Sequence, residues 1–143
     1  MPIARSRAEE IIEAFATRDP ARIEPFLDDN VDWLLVGPVE IFPFCGQRIG
    51  KAAVCTAYAE IAEKLETRNL VRDFLVIEND TAAALSRMTL VQRSNGRQAN
   101  MRMSQFMRFR DDKVAEFCAI FDSLGAIEQL LGRTLDLGMP APV

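Results

Sequence analysis

The sequence predicts one α+β domain, a cone in which a strongly curved antiparallel sheet wraps around N-terminal helices. Three observations favour this class of fold. Apolar residues recur at three- and four-residue steps in the first half of the chain, as on one face of a helix. The second half contains four consecutive segments of strand-like composition. Short polar turns separate these segments, and helices followed by such a meander are typical of α+β domains.

Three helices are predicted in the first half of the chain. Residues 4–17 carry one apolar stripe and are predicted to form the first. Asp19 followed by Pro20 is the pattern of an N-cap and a first helical residue, so a short second helix begins there and closes in an acidic turn at 28–30. Residues 51–66 return to helical spacing and are predicted to form the third.

The strands and one long loop follow from composition and turn signals. Residues 31–36 are β-rich but alternate poorly, which favours a strand with both faces partly covered. Residues 37–50 are rich in turn formers and predict a loop, and a loop of this length is often functional. Asp122 or Ser123 caps a final helix that ends at Gly132. The four strands of the meander are predicted at 67–78, 81–92, 98–110 and 114–121.

Length and composition indicate one globular domain with one core. The chain has 143 residues, of which 49% are hydrophobic and 27% are charged, the ordinary balance of a folded protein. We expect the domain to span residues 1–133 and a loose, proline-containing tail to follow at 134–143.

The charge and hydropathy patterns argue against nucleic acid and membranes as partners. There are 21 acidic and 17 basic residues, and the acidic ones are dispersed along the chain, whereas a nucleic-acid-binding domain needs a basic face. No apolar run approaches the ~20 residues of a membrane span. Arg5, Glu9 and Glu10 stand where a signal peptide would be apolar, so we expect a cytoplasmic protein.

The chain contains no histidine and three cysteines, Cys45, Cys55 and Cys118. Without histidine, the usual Ser-His-Asp and Cys-His nucleophiles and the histidine metal sites are excluded. The cysteines are odd in number and widely spaced, which favours neither a disulfide framework nor a zinc site. We expect no cofactor and no metal, so any chemistry would rest on carboxylates, arginines, amides or hydroxyls.

Several short motifs follow one another in a characteristic order. They are Asp28-Asp29, Val31-Asp32-Trp33, Pro43-Phe44-Cys45-Gly46, Gly50 with Ala53, Phe106-Met107-Arg108-Phe109-Arg110-Asp111, Lys113-Val114 and Phe121-Asp122. Over nearly the whole chain, this order resembles SnoaL-like proteins of the nuclear transport factor 2-like superfamily, which includes ketosteroid isomerases and polyketide cyclases. The resemblance implies a cone with a mostly apolar pocket between helices and sheet. It does not assign a reaction, because one fold hosts many functions.

The resemblance to ketosteroid isomerases implies an incomplete catalytic set. An ungapped alignment from Asp28 places the family's aspartate base on Leu34, which cannot move a proton. The second carboxylic acid falls near Gln105, whose amide could still donate a hydrogen bond, and the tyrosine falls near Ile11. Whether the chain is an enzyme therefore stays open.

The resemblance to epoxide hydrolases of the same superfamily is also incomplete. Arg87 matches the arginine of their Asp-Arg-Asp set, but Thr89 and Ala119 stand at the two aspartate positions. The tyrosine and asparagine that hold the water in those enzymes fall on Asp32 and Leu34. An arginine without the two aspartates cannot carry out that mechanism.

These alignments imply a set of pocket residues. Asp32 is the only carboxylate among them, and a carboxylate among apolar neighbours has the raised pKa that a general base needs; alternatively it is solvated, or a cap partner beside the acidic turn. Arg87 would bind a ligand oxygen, neutralise Asp32 or point to solvent. Asp32 and Arg87 are the predicted catalytic pair, expected to meet across the pocket mouth with Gln105 deeper. The predicted ligand-binding residues are Phe15, Trp33, Leu34, Tyr58, Thr89, Met103, Gln105, Phe117 and Ala119.

The sequence favours a SnoaL-like protein that binds a small hydrophobic, carbonyl-bearing molecule and, if it is an enzyme, isomerises, cyclises or hydrates it. The alternative is a non-catalytic ligand-binding or dimeric interaction module of the same fold. The outward strand face that carries Arg102, Ser104, Phe106 and Arg108 is expected to be covered by a second copy of the chain, a homodimer. Neither the ligand nor the reaction can be read from the sequence.

Overall fold

The computed structural model describes residues 2–138 and contains helices packed against one six-stranded sheet. The helices are α1 (Arg5–Ala16), α2 (Pro20–Ile23), α3 (Lys51–Lys64) and α4 (Ser123–Leu131), with a 3-10 turn at Glu24–Phe26. The strands are β1 (Leu27–Val36), β2 (Gly46–Ile49), β3 (Leu65–Glu78), β4 (Thr81–Gln92), β5 (Gln98–Arg110) and β6 (Lys113–Phe121). The predicted α+β class is confirmed, and each strand of the meander lies within two residues of its expected bounds.

The strands lie in the order β2-β1-β6-β5-β4-β3. Strands β3 to β6 pair antiparallel as predicted, and Asn79, Gly96 and Asp111 supply the left-handed backbone that tight hairpin turns need. β1 extends this meander by pairing parallel with β6, and β2 pairs antiparallel with β1. Since β2 occupies Gly46–Ile49, the predicted loop is reduced to 37–45.

The curved sheet has an inner face toward the helices and an outer face away from them. Ile11 and Phe15 of α1 and Val54, Tyr58 and Ile61 of α3 are buried. Along β1, β4 and β6, buried and more exposed side chains largely alternate, because successive strand residues point to opposite faces. The helix α3 contacts β1, β2 and β3 from the concave side, as its apolar stripe predicts.

The acidic segment 28–30 does not form the predicted turn but belongs to β1. The Asp28 carboxylate accepts a hydrogen bond from the backbone N–H of Asn30 at 2.9 Å. The register of β1 against β6 shifts between Leu27 and Asp32, which is the signature of a local bulge. The side chain of Asp28 thus distorts the strand without ending it, and the 3-10 turn closes the second helix instead.

The ends of α4 follow the predicted signals. The Asp122 side chain accepts a hydrogen bond from the backbone N–H of Gly125 at 2.9 Å, and Gly132 ends the helix with a φ of 74°. Gln129 holds the helix on β5 through hydrogen bonds to the backbone N–H and C=O of Asn100. Together these contacts fix α4 across one end of the sheet.

Within residues 2–138, no helix is both long and apolar enough to cross a bilayer. Cys45, Cys55 and Cys118 are free thiols, so no disulfide constrains the fold. Residues 139–143 of the predicted tail lie outside the described residues.

Candidate functional site

A mostly apolar cavity lies between α3 and the inner face of the sheet. Its volume is about 50 Å³, which is room for water-sized groups but far below the roughly 300–1,000 Å³ of pockets for drug-sized ligands. The lining comes from the end of α1, from α3, from segment 37–45 and from five strands. The lining residues are Arg18, Trp33, Leu35, Phe42, Phe44, Tyr58, Ile61, Leu65, Thr67, Met88, Leu90, Met101, Met103, Gln105, Phe117, Ala119 and Phe121.

Aromatic side chains form one wall of this cavity. Phe117 stacks on Trp33 with ring centroids 5.9 Å apart and on Phe15 at 5.4 Å. Tyr58 meets Phe15 and Trp33 edge-on at 5.8 and 5.6 Å. Aromatic pairs of this kind add about 0.5–1.5 kcal/mol each beyond the burial of their area, so these contacts stabilise the wall. Trp33 is the only tryptophan in the chain and therefore reports on anything that binds against this wall.

The hydroxyl of Tyr58 is a neutral hydrogen-bond donor at the cavity. It accepts a hydrogen bond from the indole N–H of Trp33 at 3.2 Å, and within residues 2–138 no acceptor bonds its own proton. Burial raises the pKa of Tyr58 to about 12, an effect that the nearby charge of Arg18 and the bond from Trp33 partly offset. The phenol is therefore protonated at neutral pH and free to donate to an oxygen in the cavity.

Arg18 reaches the cavity from the end of α1. Its backbone N–H donates to the carbonyl of Phe15, and its φ is 57°, the left-handed conformation in which many helices end. Glycine is the usual residue there, because a side chain in this conformation costs roughly 1 kcal/mol. Ending the helix therefore does not by itself explain an arginine at this position.

The guanidinium of Arg18 has no carboxylate partner. One Nη donates to the carbonyl oxygen of Phe15 at 3.0 Å, and the other approaches the sulfur of Met88 at 3.8 Å. None of the ion pairs within residues 2–138 includes Arg18. Part of the residue is exposed, but burial of the guanidinium lowers the pKa of Arg18 from its usual value. Because arginine stays protonated in proteins, the wall carries a desolvated positive charge.

Gln105 contributes an amide to a methionine-rich wall. Its Nε2 contacts the sulfur of Met103 at 3.6 Å. A thioether is a weak acceptor, so this contact leaves the amide able to bond a ligand. Met88 and Met101 line the same wall, and unbranched side chains of this kind adapt to the shape of a ligand. Met107 is buried on the inner face but does not line the cavity.

The segment 37–45 covers one side of the cavity through Phe42 and Phe44. Their rings stack at 5.5 Å, and Phe42 also contacts Phe121 at 6.2 Å. Burial raises the pKa of the Cys45 thiol at the end of the segment to about 11, which makes it unreactive. A ligand larger than the cavity must displace these rings or the methionines.

The structure places most of the predicted ligand-binding residues together. Phe15 lies behind the lining, fully buried against Tyr58 and Phe117. This placement agrees with the expected pocket face, and the roles of these residues in binding stay predictions. The predicted residues that line the cavity are Trp33, Tyr58, Met103, Gln105, Phe117 and Ala119.

Asp32 and Leu34 lie on the outer face of the sheet, so their predicted placement in the pocket is wrong. β1 pairs with β6 so that Trp33 lies beside Phe117, and Trp33 points into the cavity. The neighbours of Trp33 in the strand, Asp32 and Leu34, must then point away from the cavity. Asp32 is exposed, and its carboxylate accepts a hydrogen bond from the amide of Gln47 at 2.9 Å.

Arg87 and Thr89 also lie one residue away from the inward-facing positions of their strand, β4, so their predicted placement in the pocket is wrong as well. Arg87 donates two hydrogen bonds to Asp73, at 2.7 and 2.9 Å, which lower the pKa of the Asp73 carboxyl and raise that of Arg87. The hydroxyl of Thr89 donates to the side chain of Asn100 at 2.8 Å. Because β1 and β4 are separated by two strands, Asp32 and Arg87 do not form the predicted catalytic pair.

Arg18 is the candidate that sequence reasoning missed. It stands between the end of α1 and the Asp19 cap of α2, where an arginine is usually solvated. The neighbouring sequence contains no signal that the side chain turns inward. Only the position of α1 against the sheet brings this guanidinium beside Tyr58.

The lining favours binding an oxygen atom over moving a proton. It offers the Tyr58 hydroxyl, the Arg18 guanidinium and the Gln105 amide, and within residues 2–138 it includes no carboxylate and no imidazole. No group of three or more potential metal ligands is found in that part of the chain either. The arrangement can hold a ligand oxygen in an otherwise apolar enclosure.

Comparisons with known proteins agree with this architecture. A family model for the SnoaL-like domain matches residues 8–117. A candidate isomerase from Rhodopseudomonas palustris is 28% identical, with a TM-score of 0.84 over 92% of this chain and 100% of that chain. An NTF2-like protein of unknown function from Burkholderia pseudomallei is 21% identical, with a TM-score of 0.77 over 87% and 95% of the two chains. An LEH-like epoxide hydrolase from M. tuberculosis is 12% identical, with a TM-score of 0.68 over 89% and 88%. The search of curated proteins finds no match.

Proposed function

Because the chain belongs to the SnoaL-like domain family and encloses a mostly apolar cavity, we propose that it binds a small hydrophobic molecule there. The ligand carries an oxygen that accepts a hydrogen bond from Tyr58. The observation that supports this proposal is the unused hydroxyl proton of Tyr58 among apolar walls. A hydroxyl can donate as well as accept, and an oxygen-bearing ligand would take the proton that the bond from Trp33 leaves unused.

The size of the cavity limits the ligand. A volume of about 50 Å³ suits a compound of a few heavy atoms. A six-membered ring needs more room, which the side chains of Met101, Met103 and Phe42 can provide by changing rotamer. We therefore expect small compounds to bind first and ring compounds to bind with some rearrangement of this wall.

Catalysis at the same site is the second candidate. Similarity to the R. palustris candidate isomerase favours it, and the Tyr58 hydroxyl would stabilise the oxygen of an enolate. Isomerisation also needs a proton acceptor, and the lining within residues 2–138 offers neither a carboxylate nor an imidazole. Binding without turnover is therefore the function that the site supports best.

The test is a titration followed by the fluorescence of Trp33. Cyclohexanone presents a carbonyl oxygen, methylcyclohexane has a similar shape without it, and Tyr58→Phe removes only the hydroxyl. We expect cyclohexanone to bind the native protein about two- to tenfold more tightly than the variant, the worth of one hydrogen bond, and methylcyclohexane to bind both equally. Thermal unfolding of the variant controls for the lost bond to Trp33. If neither probe alters the emission or stabilises the protein, the cavity is not a ligand site.

We also propose that a second copy of the chain covers the outer face of the sheet. Exposed apolar side chains lie on neighbouring strands there: Phe74 and Val76 of β3, Phe106 of β5 and Ile120 of β6. Val76 and Phe106 both lie opposite Ala83, so the apolar surface is continuous across β3, β4 and β5. A continuous patch of this kind marks an interface, and a two-fold dimer sets such a patch against itself.

The charges around this patch favour a copy of the same chain over a charged partner. Arg87 is paired with Asp73 and Arg108 with Glu116, so both of these charges are already neutralised within the chain, while Arg102 forms no ion pair within residues 2–138. Sedimentation at micromolar concentration is expected to show a dimer of the 16.0 kDa chain, and Phe106→Arg is expected to dissociate it. A native protein that sediments only as a 16.0 kDa monomer would remove this proposal.

A further inference from the structure

We propose that the ligand of the cavity is an anion, a small apolar monocarboxylate whose two oxygens are held by Arg18 and Tyr58. This inference rests on the ligand-binding function proposed above and narrows the chemistry of the ligand. Arg18 is the only charged side chain in the lining of the described chain. A carboxylate offers one oxygen to a guanidinium and the other to a hydroxyl, and bonds in which both partners are charged are the strongest of this kind.

The backbone conformation of Arg18 is costly, which favours a binding role for its side chain at the cavity. A φ of 57° is unfavourable for every residue with a side chain, and glycine would end α1 without that cost. The positively charged guanidinium of Arg18 is also partly removed from water, which adds a desolvation cost. The benefit that offsets both costs is not found in an ion pair within residues 2–138, so a ligand anion is the partner that fits.

Most of the hydrogen-bonding capacity of Arg18 is unused. A guanidinium has five N–H groups. One bonds the carbonyl of Phe15 at 3.0 Å, and one approaches the sulfur of Met88 at 3.8 Å, a long contact to a weak acceptor. The remaining N–H groups have no acceptor within residues 2–138. The carbonyl bond and the negative end of the α1 dipole account for part of the charge, but they leave a fork of donors for one more acceptor.

Two arginines of the sheet, Arg72 and Arg87, form ion pairs within the chain, although the Nε of Arg72 is buried without a hydrogen-bond partner. Arg72 on β3 donates to Glu13 of α1 at 2.8 Å, and Arg87 on β4 donates twice to Asp73. Each meets a carboxylate group. Arg18 lines the cavity without a carboxylate partner, so a carboxylate supplied from outside the chain would complete an ion pair there.

The rest of the lining restricts the anion. A single cation among mostly apolar side chains matches a single negative charge on a hydrocarbon body. Phosphates and dicarboxylates carry a second charge for which the lining offers no further cation, and burying an unpaired charge is costly. An ammonium group would be repelled by Arg18. Trp33 and Phe117 supply the flat surface against which an aliphatic or aromatic body would pack.

The experiment compares matched acids and amides by the fluorescence of Trp33. The probes are butyrate and benzoate, their neutral counterparts butyramide and benzamide, and butylamine as the cation. The variants are Arg18→Met, which keeps an apolar stem, and Arg18→Lys, which keeps the charge. Arg87→Met is the control, because it removes an arginine from the outer face and leaves the cavity intact. Thermal unfolding is measured for each variant.

We expect the acids to bind the native protein more tightly than their amides, and butylamine not to bind. Arg18→Met should weaken the binding of butyrate and benzoate by roughly 10- to 100-fold, the range for hydrogen bonds to charged groups. The same variant should bind the amides with an affinity within about twofold of that of the native protein. Arg18→Lys should retain part of the preference for acids, and Arg87→Met should change nothing.

Two results would overturn the inference. If acids and amides bind equally and Arg18→Met weakens neither, the cavity binds neutral molecules: the inference fails while the proposed function stands. If no probe alters Trp33 emission or stabilises the native protein, the proposed function fails and the inference fails with it. A folded Arg18→Lys that has lost every preference for acids would also count against a charge-based site.

Discussion

An arginine on the outer face of the sheet and one at the inner cavity differ in whether they pair with a carboxylate. On the outer face, Arg87 is exposed and donates two short hydrogen bonds to Asp73. At the inner cavity, Arg18 is partly enclosed, donates to one carbonyl and meets no carboxylate within residues 2–138. The outer pair is complete within the chain. The inner cation is not, and this difference separates an arginine that is already paired from one that a ligand can pair.

The apolar residues of the two faces differ in a related way. Inner-face side chains such as Phe117 and Ala119 are almost fully buried, while Phe74 and Phe106 on the outer face are 67% and 48% exposed. Inner residues therefore contribute to the stability of the isolated chain, and outer residues are available to a second copy.

The largest expected effect is on folding stability. Phe117→Ala removes a ring that stacks on both Phe15 and Trp33, so it should lower the free energy of unfolding by about 3–5 kcal/mol. Phe106→Ala removes a half-exposed ring and should cost less than about 1 kcal/mol at concentrations where the chain is monomeric. Urea unfolding of both variants measures the difference. Equal losses would mean that the two faces are not distinct in packing.

The next effect is a loss of stability at high pH that originates from Tyr58. A tyrosine in the unfolded chain ionises near pH 10, whereas the folded state raises the pKa of Tyr58 to about 12. Its contribution to stability is therefore complete below about pH 10 and is lost as pH rises through about 12. The native protein should lose more stability over this window than Tyr58→Phe does, as measured by urea unfolding.

Absorbance titration of the phenol gives an independent check, because Tyr58 is the only tyrosine in the chain. Arg18→Met removes a positive charge that holds the pKa of Tyr58 down, so the phenol should ionise at still higher pH in that variant. Arg87→Met on the outer face should leave the titration unchanged. If Tyr58 ionises near pH 10 in the folded protein, this wall of the cavity is in contact with water.

The smallest expected effect is on the stability of Arg18→Gly. Glycine relieves the left-handed backbone of this position and removes a desolvated charge, while the bond to the Phe15 carbonyl is lost. These contributions oppose one another, so the free energy of unfolding should change by less than about 1 kcal/mol. Thermal and urea unfolding provide the measurement. A loss of several kcal/mol would mean that Arg18 is retained for stability and not for a ligand.

The meander could be predicted from sequence because local signals agree there. The hairpin residues Asn79 and Gly96 adopt the left-handed backbone that their residue types tolerate, and the strands between them have the expected composition. β2 was missed because Gly46–Ile49 is only four residues long and forms a strand by pairing with β1. Its structure depends on a partner distant in sequence, which local patterns do not contain.

The faces of β1 and β4 were assigned wrongly because both faces of these strands carry apolar residues. In β1, Val31, Trp33 and Leu35 are uniformly apolar, and alternation alone would have favoured burying them over the face that contains Asp32. The ungapped alignment with related enzymes placed Asp32 inside instead, and a shift of one residue reverses every side chain of a strand. The placement of Arg18 had no such signal, because it depends on how α1 packs against the sheet.

The central claim is that the inner cavity holds an apolar carboxylate between Arg18 and Tyr58, and a crystal structure of the protein with benzoate tests it most directly. We expect one carboxylate oxygen within hydrogen-bonding distance of the Arg18 guanidinium, the other within that distance of the Tyr58 hydroxyl, and the ring packed against Trp33 and Phe117. Benzoate bound only on the outer face, or bound in the cavity with its carboxylate turned away from both donors, would contradict the account.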